Sequence, residues 1–327
     1  MDEKQFHPNF DKMDQLSQAK VPFFFMIDFR MNNVQVYTGN ESTEQGLLID
    51  FRNFKSGAES FKKPAKIYWK LFPETKENYK KGFDLVQKNL HAGNSYLVNY
   101  TRKTKIETSL SLEQIFYLSK AKYKVCFPEK FVFFSPETFV EITADGRIAT
   151  HPMKGTIDAE IPDAKEKLRN DTKEKAEHYT VIDLLRNDLS MVADDVTVEK
   201  FQRIDYIPTL RKHLLAMSSE ISGKLKPEFQ NRIGSILKTL LPAGSILGAP
   251  KRKTLEIILQ AEKYERGYYT GICGWFDGAN LDSCVAIRFL EKENGSYYFK
   301  SGGGITYQSS LEKEYEEYKN KIYVPIY

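Results

Sequence analysis

Hydrophobic positions that alternate, or that form short continuous runs, predict strands along much of the chain. Residues 22–29 form a dense apolar run, and residues 34–38 are predicted to pair with it across a turn at residues 31–33. Residues 131–143 resemble a strand that Pro136 interrupts. The other predicted strands are residues 95–104, 196–201, 214–225, 269–276, 282–291 and 297–301, of which the last three are expected to form a meander.

Segments with helical periodicity lie between these strands. Residues 172–191 carry the longest such pattern, with Val181, Leu185 and Leu189 on the predicted core side. The other predicted helices are residues 77–90, 112–121, 227–240, 250–264 and 310–322, and residues 40–59 are predicted to be rich in loops. Without regular β-α-β alternation, this order indicates the α+β class with largely antiparallel sheets. We expect one catalytic domain, with residues 1–75 as a short N-terminal part and residues 76–327 as its core.

Composition narrows the possible functions. The formal net charge of +4 is spread over 327 residues without a block of like charges, which gives nucleic-acid binding little support. Cys126, Cys273 and Cys284 show neither metal nor disulfide spacing and are predicted to be reduced core thiols. The N-terminus is polar, and no apolar run reaches the roughly 18 residues of a membrane span. We therefore expect a cytoplasmic protein without nucleic-acid or membrane partners.

Two pairs of glutamates form the first candidate site: Glu174 with Glu177, and Glu314 with Glu317. Each pair is spaced by three residues in a predicted helix, so its two carboxylates share one helix face. Four carboxylates converging on one point would repel one another without a cation, and hard oxygen ligands suit Mg²⁺. The alternative is a solvated helix face, which is the commoner role of such a pair taken alone.

Two glycine-rich segments and one arginine suggest anion binding. Residues 302–304 are three glycines after a predicted strand, where backbone N–H groups can approach an anion, although a tight turn is the alternative. Residues 241–251 lead into a helix N-terminus, which favours negative ligands. Arg288 lies in an apolar strand pattern and requires a partner, either a bound carboxylate or a structural ion pair.

Together these segments resemble the chorismate-utilising enzyme family. The matching strings are Ser135-Pro136-Glu137, Pro152-Met153-Lys154-Gly155-Thr156, Glu174-x-x-Glu177-His178, Asp183-Leu184-x-Arg186-Asn187-Asp188-Leu189, Pro242-Ala243-Gly244-Ser245-x-x-Gly248-Ala249-Pro250-Lys251, Glu265-Arg266-Gly267-x-Tyr269-x-Gly271, Ala286-Ile287-Arg288, Gly302-Gly303-Gly304 and Glu314-x-x-Glu317-x-x-x-Lys321. They follow the family's order over residues 135–321, and residues 93–102 extend the resemblance upstream. It implies two stacked, largely antiparallel β-sheets flanked by helices, in agreement with the α+β prediction.

The resemblance also implies a role for each candidate residue. Glu177 and Glu317 would bind Mg²⁺ directly, and Glu174 and Glu314 through water, so that the metal acts as a Lewis acid on the ring carboxylate of chorismate. Arg288 and Tyr269 would hold the enolpyruvyl carboxylate. The remaining implied substrate contacts are Ser245, Thr156, Lys321 and the amides of Gly302, Gly303 and Gly304.

Lys154 points to one branch of the family. Aminodeoxychorismate synthases typically carry lysine at this place, and anthranilate synthases carry alanine. The resemblance therefore implies amination of chorismate at C4 through a covalent Lys154 adduct at C2, a step toward 4-aminobenzoate and folate, with Glu137 as the general acid. Without the family context, a surface lysine before a turn would be the favoured interpretation of Lys154.

Further positions bear on the reaction type and the partner. Leu97 stands where isochorismate and salicylate synthases place a water-activating lysine, which disfavours hydroxylation. Ala216 replaces a His or Gln that the family often carries, which fits a product that keeps its pyruvyl group.

No Gly-x-Cys-x-Gly nucleophile motif occurs, so ammonia is expected from a separate glutamine amidotransferase subunit. The alternatives are component I of an anthranilate synthase, and a non-catalytic subunit that activates an amidotransferase.

Overall fold

The computed structural model describes residues 6–57, 64, 66–207 and 213–325, without the side chains of Lys154, Thr156, Lys173, Ile207 and Leu214. The chain divides into two compact units, each built from three separate stretches. The first unit comprises Met1–Asn40, Glu137–Ser245 and Arg266–Val285, and the second comprises Glu41–Pro136, Ile246–Glu265 and Ala286–Tyr327. The expected single domain with an N-terminal part of residues 1–75 stays a prediction.

Strands and helices alternate irregularly along the described chain. The strands are β1 (Phe23–Ile27), β2 (Val34–Thr38), β3 (Leu48–Phe51), β4 (Phe54–Ser56), β5 (Trp69–Phe72), β6 (Leu97–Thr108), β7 (Tyr123–Phe127), β8 (Phe131–Ser135), β9 (Thr138–Ile142), β10 (Arg147–Thr150), β11 (Met153–Asp158), β12 (Ala193–Ile207), β13 (Leu214–Leu225), β14 (Gly248–Ala249), β15 (Ile272–Phe276), β16 (Leu281–Val285), β17 (Phe289–Glu293) and β18 (Ser296–Ile305). The helices are α1 (Asn9–Gln18), α2 (Glu41–Glu44), α3 (Lys76–His91), α4 (Leu112–Leu118), α5 (Ala164–Asn170), α6 (Thr172–Val192), α7 (Ile233–Leu240), α8 (Gly244–Leu247), α9 (Lys251–Glu262) and α10 (Leu311–Asn320).

The first unit is built on an antiparallel sheet with the strand order β11-β13-β10-β9-β16-β15-β1-β2, in which β12 also pairs with β13. Strand β1 is buried along its whole length, as its apolar run requires. Helices α1, α5, α6 and α7 belong to this unit. The side chain of Asp14 on α1 accepts a hydrogen bond of 2.9 Å from the backbone N–H of Ser235, which fixes α1 to the first turn of α7.

The second unit is built on another antiparallel sheet, with the order β14-β6-β18-β17-β8-β7-β3-β4 and with β5 paired to β6. Its core is rich in aromatic rings. Phe289 stacks on Phe131 with 4.9 Å between ring centroids, and Tyr123 meets Phe51 edge-on at 4.9 Å. Helices α2, α3, α4, α9 and α10 belong to this unit, and Thr75 caps the N-terminus of α3.

The α+β class and the two largely antiparallel sheets flanked by helices are confirmed. Residues 40–59 were predicted to be loop-rich, and this is wrong for residues 40–57, which include α2, β3 and β4, whereas residues 58 and 59 lie outside the described residues. The predicted strand at residues 282–291 is two strands, because Arg288 adopts a left-handed φ of 54° that ends the extended backbone. The predicted meander is therefore also wrong: β15 pairs with β16 in the first unit, whereas β17 pairs with β18 in the second.

In the described ranges, no helix is both long and apolar enough to cross a bilayer.

Candidate active site

Glu177 lies on the inner face of α6, in the first unit. Val181, Leu185 and Leu189 form a buried stripe along this helix, with a spacing of four residues. Glu177 extends that stripe by one position toward the helix N-terminus. The side chain is only 7% exposed. This burial excludes a solvated helix face for Glu177, and its role as a metal ligand stays a prediction.

Glu174 lies one turn earlier on α6 and contacts the segment that carries Lys154. Asp171 caps this turn by accepting a hydrogen bond of 2.9 Å from the backbone N–H of Glu174. A Cβ atom placed on Gly155 would lie 3.0 Å from Oε2 of Glu174 and 3.0 Å from Cδ1 of Leu168. With a φ of 70° as well, this position of β11 favours glycine, and the absence of a side chain lets the carboxylate lie against the strand.

The backbone of β11 is irregular at Lys154. Lys154 pairs with Met217 and Thr156 with Ala216 on β13, with a bulge between the two pairs. Bulges re-aim the side chains beside them, which is one reason why they occur near active sites. The side chains of Lys154 and Thr156 lie outside the described part of the structure, so their predicted catalytic and binding roles stay predictions.

His178 and Ser219 fix α6 to the sheet of the first unit. The imidazole of His178 is fully buried, and its Nε2 lies 2.8 Å from the hydroxyl of Ser219. The backbone N–H of Ser219 donates to the carbonyl oxygen of Pro152 at 3.0 Å, directly before Met153 and Lys154. This chain of contacts positions Glu177 and the start of β11 together, a structural role for Ser219 that sequence reasoning missed.

Two other predicted site residues of the first unit touch each other. The Ser245 hydroxyl donates a 2.7 Å hydrogen bond to Oε1 of Glu137. Ser245 follows Gly244, where a Cβ atom would lie 3.1 Å from Oδ2 of Asp188 and 2.6 Å from Cδ2 of Leu184. The close approach to α6 explains the glycine, and it positions Ser245 and hence the carboxyl of Glu137.

Tyr269 is buried in the first unit, on a turn before β15. It is 4% exposed, and its backbone N–H donates to the carbonyl oxygen of Arg266 at 3.1 Å. The guanidinium of Arg266 lies 4.5 Å from the ring centroid of Phe29 and donates to the hydroxyl of Thr270 at 3.1 Å. Arg266 thus stabilises the turn that carries Tyr269.

Four predicted site residues of the second unit form one cluster at α10. Lys321 donates 2.6 Å to Oε1 of Glu317 and 3.1 Å to the carbonyl oxygen of Gly302. A Cβ atom on Gly303 would lie 2.6 Å from the same carboxylate oxygen of Glu317. Glu314, on the same helix, is 2% exposed. Glu314 is therefore buried in the unit, whereas Glu317 is half-buried and lies over β18.

The triple glycine does not follow a strand, nor does it form a turn. Gly302, Gly303 and Gly304 continue β18 and pair with Thr101, Tyr100 and Asn99 of β6. Glycine is required at Gly302 because a Cβ atom there would lie 2.1 Å from the carbonyl oxygen of Tyr100. Close backbone approach inside a sheet is thus the physical reason for this glycine, and substrate binding by the three amides stays a prediction.

Arg288 lies between strands, in the second unit, with its Nε buried and without a hydrogen-bond partner among the described residues. Its guanidinium is 5.1 Å from the ring centroid of Tyr323. The positive charge of Arg288 lowers the pKa of Tyr323. The partner seen for the guanidinium among the described residues is the hydroxyl of Tyr323 rather than a carboxylate, and the binding of a substrate carboxylate by Arg288 stays a prediction.

The donor set suits magnesium chemically. In the described ranges, no three His, Cys, Asp or Glu side chains are grouped as ligands of one metal ion. Mg²⁺ needs only one or two carboxylates if water and substrate oxygens supply the rest, and each glutamate pair meets that requirement. Magnesium therefore stays a prediction that the buried carboxylates fit.

Comparison with protein families decides the wider assignment. The family of chorismate binding enzymes matches residues 11–326. The chain belongs to this family. Membership covers the parts of both units that carry the candidate residues, and it confirms the resemblance inferred from the sequence strings.

Named relatives of this family member differ in activity. An uncharacterised PabA-like protein of Haemophilus influenzae is 49% identical over 97% of this chain and 96% of its own. Component 1 of the aminodeoxychorismate synthase of Escherichia coli is 33% identical over 76% of this chain and 56% of its own. Component 1 of the anthranilate synthase of Saccharomyces cerevisiae is 35% identical over 61% of this chain and 40% of its own.

Solved structures of the family share the fold. MenF, the menaquinone-specific isochorismate synthase of Escherichia coli, matches 95% of this chain and 79% of its own with a TM-score of 0.73 at 17% identity. DhbC of Bacillus anthracis, a putative isochorismate synthase, matches 96% of this chain and 85% of its own with a TM-score of 0.70 at 18% identity. At these identities the likeness concerns the fold.

Proposed function

We propose that this chorismate binding enzyme aminates chorismate at C4 to give 4-amino-4-deoxychorismate, through a covalent bond between C2 and Lys154. The observation that carries the proposal is the string Pro152-Met153-Lys154-Gly155-Thr156 in a chain 33% identical to an aminodeoxychorismate synthase component. The contact between Gly155 and Glu174 supports it, because the strand that bears the lysine lies against a proposed magnesium ligand.

Replacing a hydroxyl by ammonia at the same carbon is easier in two displacements. The amine of Lys154 attacks C2, the ring double bonds shift, and the C4–O bond breaks. Lys154 loses a proton as the C2–N bond forms, and Glu137 gives one to the departing hydroxyl, so water is released. Ammonia then attacks C4, the double bonds shift back, and the C2–N bond breaks. The proton that the attacking ammonia loses goes to the departing amine of Lys154, and the proton that Lys154 lost in the first displacement restores Glu137.

Lys154 attacks only as the neutral amine. A lysine with an ordinary pKa of about 10.4 is almost fully protonated at neutral pH. Lowering that pKa by about three units requires about 4 kcal/mol of destabilisation of the charged form. Burial and a nearby cation both act in that direction. Magnesium held by the glutamates would supply such a charge and would act as a Lewis acid on the ring carboxylate.

Glu137 acts as the general acid of this proposal, and Ser245 positions it. The hydroxyl of Ser245 donates to Oε1 of Glu137 and so fixes the carboxyl group that gives the proton in this proposal. Arg288 is the proposed partner of the enolpyruvyl carboxylate, because its buried Nε lacks an acceptor among the described residues.

Ammonia is proposed to come from a separate glutamine amidotransferase subunit. This chain has no Gly-x-Cys-x-Gly motif around any of its three cysteines. Ammonium salts should therefore support turnover by the purified chain, whereas glutamine alone should not. Turnover with glutamine as the sole nitrogen donor would contradict this division of labour.

Product analysis by mass spectrometry tests the proposed reaction. Purified protein is incubated with chorismate, Mg²⁺ and ammonium, and the expected product retains the enolpyruvyl group.

The second candidate is anthranilate synthase component I, favoured by the 35% identity to the yeast enzyme. Fluorescent anthranilate, formed with release of pyruvate and without an added lyase, would establish that candidate instead. Failure to consume chorismate would favour a non-catalytic subunit.

A further inference from the structure

Four tyrosines form a buried cluster in the second unit, which we call the tyrosine cluster. They are Tyr79 on α3, Tyr100 on β6, and Tyr315 and Tyr318 on α10. The ring of Tyr79 lies 5.1 Å from that of Tyr100 and 5.5 Å from each of the other two, measured between centroids. The cluster thus packs the first turns of α3 against the helix that carries Glu314 and Glu317.

The hydroxyls of the tyrosine cluster are not equivalent. Tyr100 donates to the carbonyl oxygen of Tyr79 at 3.2 Å, Tyr315 donates to that of Glu74 at 2.7 Å, and Tyr318 shares a hydrogen bond with Thr104. The hydroxyl of Tyr79 is buried, with 0% of the residue exposed, and has no hydrogen-bond partner among the described residues. A buried hydroxyl without a partner costs stability, and phenylalanine would fill the same space without that cost.

The hydroxyl of Tyr79 lies in a buried environment near negative charge. Burial is the largest cause that raises the pKa of Tyr79, and the negative charge of Glu314 is the next, with Glu317 contributing less. The hydroxyl therefore keeps its proton and can act as a hydrogen-bond donor. Glu314 lies four residues before Tyr318 on α10 and so shares its face of the helix, and both residues are buried. The ring of Tyr318 stacks on that of Tyr79, whereas the ring of Tyr315 meets it edge-on, so the buried face of α10 that carries Glu314 is turned toward Tyr79.

We infer that Tyr79 is a positioning residue for the metal site: its hydroxyl donates a hydrogen bond to Glu314, and so fixes that carboxylate, when magnesium and chorismate are bound. The inference rests on the proposed function, since it takes Glu314 as part of a magnesium site. Groups that hold a metal ligand in place are a recurring requirement of metal sites, and their loss weakens metal affinity.

Tyr79→Phe tests the inference, with Tyr318→Phe as a matched control in the same stack. Metal-free protein is first melted to obtain the Tm of each variant. Mg²⁺ is then titrated with chorismate present and ammonia absent, and the concentration at half of the thermal shift is measured. Tyr79→Phe should keep or raise the metal-free Tm and raise the Mg²⁺ midpoint by roughly tenfold to a hundredfold, the range for a hydrogen bond to a charged group. Tyr318→Phe should lower the Tm and leave the Mg²⁺ midpoint unchanged.

Three outcomes would overturn the inference and are distinguishable. If Tyr79→Phe lowers the metal-free Tm as much as Tyr318→Phe does, the hydroxyl already has a structural partner. If the Mg²⁺ midpoint of Tyr79→Phe equals that of the wild type, the hydroxyl does not position a metal ligand, and the proposed function is unaffected. If the wild type itself shows no Mg²⁺-dependent shift, the metal site fails together with the inference.

Discussion

Lys154 is the residue on which the proposed chemistry depends, and its replacement gives the first prediction. Lys154→Ala should slow amination by at least about a hundredfold, because the two displacements then lose their nucleophile. Intact-protein mass spectrometry with chorismate should detect a covalent adduct on the wild type and none on the variant. Lys167→Ala, which removes an exposed lysine of α5, should behave as the wild type. Normal turnover by Lys154→Ala would exclude the covalent route.

Glu177 and Glu317 are the proposed direct magnesium ligands, one from each pair. Glu177→Gln and Glu317→Gln keep the shape of the side chain but remove the charge, so each should abolish Mg²⁺-dependent turnover. Steady-state assays over a range of Mg²⁺ concentrations make the measurement. Glu312→Gln, on an exposed position of α10, is the control and should retain full activity. Full activity in either ligand variant would reject the role of that residue.

The sequence predicted the residue-level chemistry only in part. Spacing placed each glutamate pair on one helix face, but it did not show that Glu177 and Glu314 would be buried while Glu174 and Glu317 are half-buried. Tyr79 was not identified, because a hydroxyl's lack of a partner depends on α10, which lies more than 200 residues away. The pairing of Ser219 with His178 was missed for the same reason, since it joins two distant elements.

At the scale of elements, the two neighbouring glycines of β18 give a prediction with an internal control. A Cβ atom at Gly302 would meet the backbone of Tyr100, whereas one at Gly303 would meet the end of the Glu317 side chain. Gly302→Ala should therefore lower the free energy of unfolding by roughly 1–3 kcal/mol. Gly303→Ala should change it less and instead raise the Mg²⁺ requirement, because the carboxylate must move.

Chemical denaturation and Mg²⁺ titration of both glycine variants check this difference. If Gly303→Ala unfolds as easily as Gly302→Ala while its Mg²⁺ requirement is unchanged, the position of Glu317 over β18 is incorrect.

Elements with a strong local signal were predicted well from the sequence. The predicted strand at residues 214–225 is β13 with the same bounds, and the helix predicted at residues 172–191 is α6 extended by one residue. Strand β12 extends three residues earlier and six later than predicted, because bulges opposite β13 disturb its alternation. The break at Arg288 was missed, since a left-handed backbone at a residue other than glycine has no reliable signal in the sequence.

At the scale of the whole molecule, pH tests an ion-pair network on the sheet of the first unit. Lys200 at 2.7 Å, and then Arg147 at 2.8 Å, hold the pKa of Glu220 below its ordinary value of 4.5 and outweigh the effect of burial. A lowered pKa stabilises the folded chain above pH 4.5, and that contribution is lost as the pH falls through the folded-state pKa.

Glu220→Gln should therefore destabilise the protein by up to about 1 kcal/mol at pH 7 and by less at pH 3. Urea denaturation at both values measures the difference, and Glu228→Gln, at an exposed position, should show no such pH dependence. If Glu220→Gln lowers the free energy of unfolding by the same amount at pH 3 and at pH 7, the charge of Glu220 contributes nothing to stability.

The arrangement of the chain into units was the part least accessible to sequence reasoning. Each unit combines three stretches of chain, and strand pairing such as β1 with β15 joins residues about 250 positions apart. Local periodicity identifies a strand but carries no information on such distant partners. The family resemblance supplied the expectation of two antiparallel sheets, which the strand orders confirm.

The position of the new carbon–nitrogen bond tests the central claim most directly. Wild-type protein is incubated with chorismate, Mg²⁺ and ¹⁵N-labelled ammonium, and the product is examined by NMR for coupling of ¹⁵N to the ring carbons. The account predicts nitrogen on C4 of a ring that keeps its enolpyruvyl group. Nitrogen on C2, with or without loss of pyruvate, would contradict it.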